Sequence, residues 1–412
     1  MVSAVAAFVC FNLSREGYLP GDGMSRVWEA PRDRDVPAHG NASWLHGDVA
    51  VRARFDAVTG FDVSTGRERW EYTVPDVAEI CATSATSDRD GIAVIAFGSE
   101  SGASTAAGGC ATVAAIDLDT GEELWRTSAP SASSLEGNHD VVAVGGGVAV
   151  VRETRSDGDT AIRAFDATAG TPRWIAQVPP ACGPQQVGAS EHRVVAVLEC
   201  EGSGLRLSAF GIADGAAQWS VPLDARRPLA PDARVSLRSV DPLVVQAEAP
   251  QERGTHAFLA FASDGKPRGR IDFTGEYGEI QKDDAAKVVV TGDRLIAVAE
   301  YPYESYTRDQ IVAFDLATGQ PVWRQGLEAD DAVALHEGAG RVTAVVEPPG
   351  KRRQDEDLYV FDTRTGEERD ARSFREDVDR SWLQALYVHE NGLVIAARWG
   401  SATSPFTAYR TW

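Results

Sequence analysis

The chain has 412 residues and a formal net charge of −21, from 61 acidic and 40 basic side chains. A surface as acidic as this disfavours binding to nucleic acid and to anionic lipid. The length alone would allow two or three ordinary domains. Repeats along the chain predict one large β domain over residues 24–412 instead.

The first 23 residues precede this domain and differ from it in composition. Residues 1–13 are mostly apolar, but they are too few to span a bilayer and lack the basic residues of a signal peptide. Val9 stands before Cys10, where a lipoprotein cleavage site needs Gly or Ala. We interpret residues 1–13 as the end of a signal anchor, with a disordered apolar tag as the alternative. Residues 14–23 contain Gly and Pro and are predicted to be a linker.

The dominant pattern is a motif that contains Asp-x-x-Thr-Gly and is followed by Trp. Apolar residues before the Asp alternate as in a strand, Asp and Thr can bond the backbone of a reverse turn, and Gly provides a positive φ. The repeat length of roughly fifty residues is that of a four-stranded propeller blade. Clear copies occupy residues 115–125, 164–174 and 313–323, and weaker copies occupy residues 60–70, 209–219, 260–265 and 360–370.

A second pattern, of short apolar runs rich in Val and Ala, recurs once in each unit. Most runs follow a polar or Gly-containing turn, so each is predicted to be the second strand of a hairpin. The eight runs occupy residues 49–54, 92–97, 148–152, 194–199, 243–248, 295–300, 342–347 and 393–398.

The two ends of the chain complete the predicted architecture. Trp28 resembles the Trp of a fourth strand that has no preceding three. The segments at residues 386–389, 393–398 and 406–410 resemble three strands that have no fourth. Pairing them makes an eighth blade and leaves no open sheet edge. The predicted fold is therefore all-β, an eight-bladed β-propeller of four-stranded blades whose last blade is closed by N- and C-terminal strands.

The motif tryptophans are predicted to dock neighbouring blades onto one another. A large flat side chain on a fourth strand can fill the space between blades, and its N–H needs one partner. These residues are Trp28, Trp70, Trp125, Trp174, Trp219 and Trp323.

The five cysteines include two pairs that each fall within one predicted blade, near one end of adjacent strands. We predict the disulfide bonds Cys81–Cys110 and Cys182–Cys200, each stabilising the fold by about 3 kcal/mol through loop closure. Disulfides persist outside the cytoplasm, so this pairing predicts an extracytoplasmic protein. The alternative is four buried reduced thiols. Metal ligation is not predicted, because the sequence has neither Cys-x-x-Cys nor a neighbouring His pair.

The motif copies resemble the quinoprotein-type repeat, Ala-x-Asp-x-x-Thr-Gly-x-x-x-Trp, whose family is named for pyrroloquinoline quinone (PQQ). The resemblance spans roughly residues 24–412 and implies an eight-bladed propeller. The family contains both dehydrogenases and non-catalytic scaffolds or sensors such as BamB. Its dehydrogenases bind PQQ and Ca²⁺, carry an adjacent Cys-Cys pair and have long insertions. This chain has no adjacent cysteines and short repeat units. The resemblance therefore implies the BamB-like non-catalytic branch, without PQQ or calcium.

The remaining motif fragments predict no catalytic or metal site. Residues 88–90 and 157–159 resemble pieces of calcium loops, but they lack the downstream acidic ligand and are predicted to be hairpin turns. Four histidines fall at the predicted turn before a second strand, which indicates polar hairpin positions rather than a converging triad: His46, His192, His336 and His389.

Two longer segments are candidate partner-binding loops. Residues 347–357 and 301–309 are predicted to project between strands, and the second contains Tyr301, Tyr303 and Tyr306. Loops that carry Tyr and Arg are favoured on binding surfaces. The alternative for either segment is an ordinary solvated loop.

Together these observations predict a non-catalytic extracytoplasmic propeller, anchored to the cell membrane by its N-terminus, that binds another protein or a ligand as a scaffold. A monomer that binds no nucleic acid is expected. The alternatives are a PQQ-dependent dehydrogenase with a divergent site and an extracellular sensor module whose partner kinase is encoded elsewhere.

Overall fold

Antiparallel strands account for nearly all of the regular structure. The computed structural model describes residues 23–33, 41–75, 78–98, 110–131, 141–154, 160–227, 229–304, 306–327, 331–347, 356–376, 378–380, 382–400 and 403–411. Within these ranges the strands form eight sheets, and the fold is an all-β eight-bladed propeller. The predicted fold class is confirmed. The N-terminal segment and linker predicted over residues 1–23 lie almost wholly outside the described residues.

Val36–Ile271 form one compact unit, which contains five four-stranded sheets. In each sheet four strands consecutive in the chain pair in order. Their bounds are β2 (Ala42–His46), β3 (Val49–Ala53), β4 (Ala57–Asp62) and β5 (Glu68–Thr73) in sheet 1; β6 (Glu79–Thr83), β7 (Ile92–Gly98), β8 (Cys110–Asp117) and β9 (Glu123–Ser131) in sheet 2; β10 (Val142–Gly145), β11 (Val148–Thr154), β12 (Thr160–Asp166) and β13 (Pro172–Ile175) in sheet 3; β14 (Cys182–Ala189), β15 (Arg193–Cys200), β16 (Gly204–Gly211) and β17 (Ala217–Pro222) in sheet 4; and β18 (Arg234–Val240), β19 (Leu243–Glu248), β20 (His256–Phe261) and β21 (Pro267–Asp272) in sheet 5.

The described residues within 1–35 and 272–412 form the second compact unit, with three sheets. A 3-10 turn, Ala285–Lys287, precedes β24. The strands are β22 (Thr274–Gly275), β23 (Gly278–Ile280), β24 (Val288–Thr291), β25 (Arg294–Tyr303), β26 (Tyr306–Asp315) and β27 (Pro321–Gly326) in sheet 6; β28 (Asp331–Gly338), β29 (Arg341–Glu347), β30 (Asp357–Asp362) and β31 (Glu368–Ser373) in sheet 7; and β32 (Leu383–Val388), β33 (Val394–Arg398), β34 (Phe406–Thr411) and β1 (Met24–Glu29) in sheet 8.

Sheet 8 combines strands from both ends of the chain, as the sequence predicts. β1 pairs antiparallel with β34 from Met24↔Thr411 to Glu29↔Thr407. Just past the strand, the Ala30 N–H donates to the Phe406 carbonyl at 2.9 Å. Trp28 lies on β1, the outermost strand of this sheet, and is buried. Its predicted place on a fourth strand is correct.

The eight apolar runs all form second strands, and their residues make up much of the core. In β25 the five consecutive residues from Leu295 to Ala299 are fully buried. A strand whose two faces are both covered reads as a continuous apolar run, whereas a half-exposed strand alternates. The run pattern therefore reflects second strands that are covered on both faces.

The Asp-x-x-Thr-Gly segments form the turns between the third and fourth strands. Asp315 shows the chemistry: its carboxylate accepts the N–H groups of Ala317 at 2.9 Å and Thr318 at 2.8 Å, and the Thr318 hydroxyl at 3.0 Å. Partial burial would raise the pKa of Asp315, but these hydrogen bonds outweigh burial and lower it. Gly319 closes the turn at a φ of +73°, a conformation that other residues rarely adopt.

Sheet 6 departs from the regular pattern. The hairpin of β22 and β23 pairs with β25 through Glu279↔Glu300 and Ile280↔Ala299, beyond the segment of β25 that pairs with β24. This sheet therefore has a small hairpin added to its four core strands, and β25 and β26 are its longest strands, with 10 residues each.

Candidate functional site

Each sheet has two chemically different ends. One end carries the turn between the first and second strands and the Asp-containing turn. The opposite end, called here the connection end, carries the hairpin between the second and third strands and the link to the next sheet. The repeated motif lies at the first end, and the irregular segments lie at the second.

Five of the motif tryptophans lie against the Asp-containing turn of the following sheet. The Trp125 Nε1–H donates to the Ala167 carbonyl at 2.7 Å, and the indole covers Gly170 so closely that a β-carbon there would overlap it. Three further tryptophans repeat this arrangement, each bonding the residue that follows the turn's Asp position: Trp174 with Ile212 at 3.0 Å, Trp219 with Ser263 at 3.0 Å and Trp323 with Thr363 at 2.9 Å.

Trp70 keeps the packing but not the hydrogen bond. Its indole lies against Gly121 of the next turn and also over Gly60 of its own sheet. Its Nε1 has no hydrogen-bond partner among the described residues. Gly60 replaces the Ala of the clear motif copies, and the missing methyl group leaves room for the ring.

Two disulfide bonds lie at the connection end. Cys182 and Cys200 are paired in register on β14 and β15, with a Cα–Cα distance of 4.0 Å. Cys81 and Cys110 are also bonded, with a Cα–Cα distance of 5.9 Å. Both predicted pairs are present, and they support an extracytoplasmic location.

One detail of the cysteine prediction is wrong. Cys81 and Cys110 lie on β6 and β8, which are not adjacent because β7 lies between them. Cys81 falls at a bulge in β6, and Cys110 lies beyond the last β7–β8 pair, Phe97↔Thr112. The bond therefore joins the first and third strands although β7, which pairs with β6 as far as Glu79↔Gly98, lies between them, and strand order alone does not reveal this route.

His336 also departs from prediction. It lies within β28 rather than in the turn, because this strand continues to Gly338. Burial lowers the pKa of its imidazole.

The predicted loop at residues 301–309 is instead a two-stranded ribbon. β25 and β26 continue past their ladders with β24 and β27 through Glu300↔Asp309, Tyr301↔Arg308, Pro302↔Thr307 and Tyr303↔Tyr306. Glu304 in the turn has a φ of +53°. Alternation of aromatic and polar residues over so short a segment favours strands, and this signal was available in the sequence. We call residues 300–304 and 306–309 the tyrosine ribbon.

One face of the tyrosine ribbon carries three aromatic rings and a guanidinium. Because side chains alternate along a strand, the pairs Tyr301↔Arg308 and Tyr303↔Tyr306 lie on the same face. The rings of Tyr303 and Tyr306 have centroids 5.5 Å apart, and those of Tyr301 and Tyr303 are 6.4 Å apart. The Arg308 guanidinium lies 3.9 Å from the Tyr303 centroid, within cation–π range. Its Nη2–H donates to the Tyr306 hydroxyl at 2.8 Å.

These rings remain accessible to solvent. Tyr303 is 37% exposed and Tyr306 is 43% exposed. Edge and tilted contacts between the rings and the bond to Arg308 restrict the side chains, so binding would remove little of their conformational freedom. Sequence reasoning named the three tyrosines but missed Arg308. The signal was its position two residues after Tyr306, because residues two apart on a strand share a face.

A buried polar network holds the base of the tyrosine ribbon. Asp309 is 3% exposed, and its carboxylate accepts the Gln281 side-chain N–H at 2.7 Å and the Ala332 backbone N–H at 2.8 Å. Lys287 donates to the Gln281 amide oxygen at 2.6 Å and pairs with Asp331 at 3.0 Å. Burial raises the pKa of Asp309 to about 6, and the neighbouring Asp331 adds to the rise while Lys287 opposes it.

Other connection-end features are less organised. Of the second candidate loop, residues 348–355 lie outside the described residues. Trp382, which sequence reasoning did not single out, is 66% exposed at a φ of +61°, and its ring lies over Gly400.

No group of three or more His, Cys, Asp or Glu side chains suited to a metal ion occurs among the described residues. The described part of the chain also has no helix with the length and apolarity to cross a bilayer.

Comparison of folds defines the class of protein. Three solved structures share the fold. BamB from Moraxella catarrhalis is 16% identical, with a TM-score of 0.50 and coverage of 94% of this chain and 99% of that chain. The computationally designed Ika8 protein is 15% identical, with a TM-score of 0.55 and coverage of 93% and 100%. A quinohemoprotein alcohol dehydrogenase from Pseudomonas putida HK5 is 11% identical, with a TM-score of 0.55 and coverage of 95% and 77%. At these identities the likeness concerns the fold alone.

A comparison of sequences finds a family that part of the chain resembles. Residues 82–263 match the family described as outer membrane protein assembly factor BamB. This match covers less than half of the chain, and over that segment the β-propeller is similar to the BamB-like, PQQ-type repeat family. No match was found among curated proteins. The two disulfide bonds and the resemblance to this family together support an extracytoplasmic location.

Proposed function

We propose that this chain is a non-catalytic scaffold outside the cytoplasm that binds another protein through the tyrosine ribbon. The observation that carries the proposal is the ordered, exposed cluster of Tyr303, Tyr306 and Arg308 on strands that extend past their sheet. Tyr and Arg dominate the energetics of protein interfaces. A cluster that is already ordered loses little entropy on binding.

Two further parts of the proposal concern the state of the protein. The apolar N-terminal segment tethers the propeller to the cell membrane, and the propeller acts as a monomer. Neither PQQ, calcium nor nucleic acid is a ligand. Calorimetric titration with PQQ and Ca²⁺ tests the non-catalytic assignment, because tight calcium-dependent binding would support a quinoprotein dehydrogenase instead.

Site-specific photocrosslinking tests the ribbon as a binding surface. A benzophenone side chain is placed at Thr307, on the opposite face of the same ribbon, or at Asp119, an exposed residue in an Asp-containing turn of sheet 2. We expect a crosslinked product of defined mass from position 307 and none from position 119. The combined change Tyr303→Ser and Tyr306→Ser should abolish the product while leaving the melting temperature unchanged. No product at 307, or the same product from both positions, would reject the assignment.

A further inference from the structure

One edge of the tyrosine ribbon has no strand beside it. The ladder between β26 and β27 begins at Gln310↔Gly326, so β27 does not reach Tyr306, Thr307 or Arg308. Among the described residues these three have β25 on one side and no strand on the other. An unpaired strand edge presents backbone N–H and C=O groups that can pair with another chain.

The opposite edge of the ribbon is less suited to such pairing. On β25, Pro302 has no N–H to donate, and proline is a common way of protecting a strand edge. The hairpin of β22 and β23 already occupies this edge up to Glu300. The β26 edge, with the sequence Tyr-Thr-Arg, has neither protection and consists of residues compatible with a strand.

The side chains beside the open edge indicate the chemistry of a partner strand. No carboxylate lies within ion-pair distance of Arg308 among the described residues, and its Nε is buried without a hydrogen bond. Its guanidinium is held against Tyr303 and Tyr306. A side chain directly opposite Arg308 on an added strand would lie within reach of this cation, and the side chain two residues away would lie beside Tyr306.

We propose that the partner contributes an extended segment that adds to the β26 edge as a further strand, with an acidic residue opposite Arg308 and an apolar residue, two positions away, opposite Tyr306. This inference rests on the proposed protein-binding function and specifies its geometry. Backbone hydrogen bonds supply the pairing, and the two alternate side chains supply the selectivity. A carboxylate can bond the planar guanidinium through two parallel hydrogen bonds.

A display library of random linear 12-residue peptides provides the probe. The library is panned on the immobilised full-length chain, and enriched peptides are titrated by calorimetry. We expect enriched peptides to share an acidic residue and an apolar residue that stand two positions apart. Their affinity for Arg308→Gln should fall about tenfold or more. Arg324→Gln, on the neighbouring β27, is the matched control and should change affinity less than about twofold, as expected of an arginine outside the edge.

Hydrogen exchange then tests the backbone part of the inference. We expect the amides of residues 306–309 to exchange more slowly when the peptide is bound. Lack of enrichment, absence of a shared acidic residue, equal binding to Arg308→Gln, or protection confined to other segments would each overturn the inference. If Arg308→Gln lowers the melting temperature, Arg308→Lys replaces it, and affinity should still fall because lysine cannot form the bidentate pair.

The outcomes separate this inference from the function on which it rests. Crosslinking at Thr307 could succeed while peptide affinity is unchanged by Arg308→Gln and the amides of residues 306–309 gain no protection. In that case protein binding is supported and strand addition is rejected. If crosslinking also fails, both are rejected. If the chain dimerises through this edge, the occupant is a second copy, and the inference of a foreign acidic segment is wrong.

Discussion

The two ends of the sheets differ in how the sequence specifies them. At the end that carries the Asp-containing turns, a single local motif recurs, and four tryptophans donate equivalent hydrogen bonds. At the connection end the sheets differ: sheet 6 has a ribbon and an added hairpin, while sheets 2 and 4 have differently routed disulfides. Repetition at one end gives a uniform scaffold, and variation at the other provides the surfaces available for recognition.

The largest expected effect concerns the covalent ties of the connection end. Replacing both Cys81 and Cys110 by Ala should lower the free energy of unfolding by about 3 kcal/mol, because the loop between these cysteines, at a sequence separation of 29, is no longer closed in the unfolded chain. Chemical denaturation measures this change. The same replacement at Cys182 and Cys200, separated by 18 residues, should have a slightly smaller effect. An unchanged denaturation midpoint in both variants would show that the connection end does not depend on these bonds.

Removal of a docking indole should have the next largest effect. Trp125→Ala should destabilise the fold by about 2 to 3 kcal/mol, since the packing on Gly170 and the bond to Ala167 are both lost. Trp382→Ala is the matched control at the connection end. That indole is 66% exposed, so its removal should change stability by less than about 0.5 kcal/mol. Equal losses in the two variants would contradict a distinct docking role for the motif tryptophans.

A pair of glycines separates backbone strain from docking within sheet 3. Gly170 and Gly147 have similar φ values of +67° and +72°. Gly147→Ala should cost about 1 kcal/mol through backbone strain alone, because nothing lies within 4 Å of its added methyl group. Gly170→Ala should cost about 2 kcal/mol, since its methyl group also displaces the Trp125 indole. Thermal unfolding of both variants measures the difference. Equal losses of stability would show that displacement of the Trp125 indole adds nothing to backbone strain.

The smallest expected effect is on the pH dependence of stability, to which Asp309 at the connection end and Asp62 in a motif turn contribute with opposite sign. Asp309 keeps its proton in the folded state up to a pH of about 6, because burial raises its pKa from an ordinary value of 3.8. Its contribution to stability therefore falls as pH rises between about 4 and 6. Asp309→Asn should remove this slope and raise stability near pH 7 by on the order of 1 kcal/mol.

Asp62, in the turn of sheet 1, provides the comparison of opposite sign. Burial would raise the pKa of its carboxyl, but hydrogen bonds from Ser64, Arg69 and Thr65 outweigh burial and lower it. Its contribution is present above the unfolded pKa and is lost as pH falls below about 4. Asp62→Asn should therefore flatten the acid side of the stability profile, whereas Asp309→Asn acts between pH 4 and 6. Identical profiles for both variants would contradict these assignments.

Much of the fold was predictable because it is encoded locally and repeatedly. Each Asp-containing turn satisfies its own backbone groups, as Asp315 does, and each apolar run signals a covered strand without reference to distant residues. The pairing of β1 with β34 could also be deduced, because the repeat count left three strands and one strand unmatched. The placement of the whole of residues 24–412 in one domain stays a prediction.

The candidate site was only partly predictable. The three tyrosines were visible in the sequence, but the expected loop is a ribbon because β25 and β26 continue pairing beyond their sheet. The role of Arg308 depends on its position opposite Tyr301, and that of Asp309 depends on Gln281 and Ala332, which belong to other segments of the chain. Such cross-strand partners are not encoded in the spacing of nearby residues.

The sequence by itself determined the repeat, the order of the four core strands in each sheet and the pairs of cysteines, because these follow from local turn chemistry and from spacing along the chain. The tertiary structure decided which strand edge stays open, where the Cys81–Cys110 bond passes β7, and how deeply Asp309 is buried. Those properties depend on where neighbouring strands end and on which groups pack against one another, and only the folded chain fixes these relations.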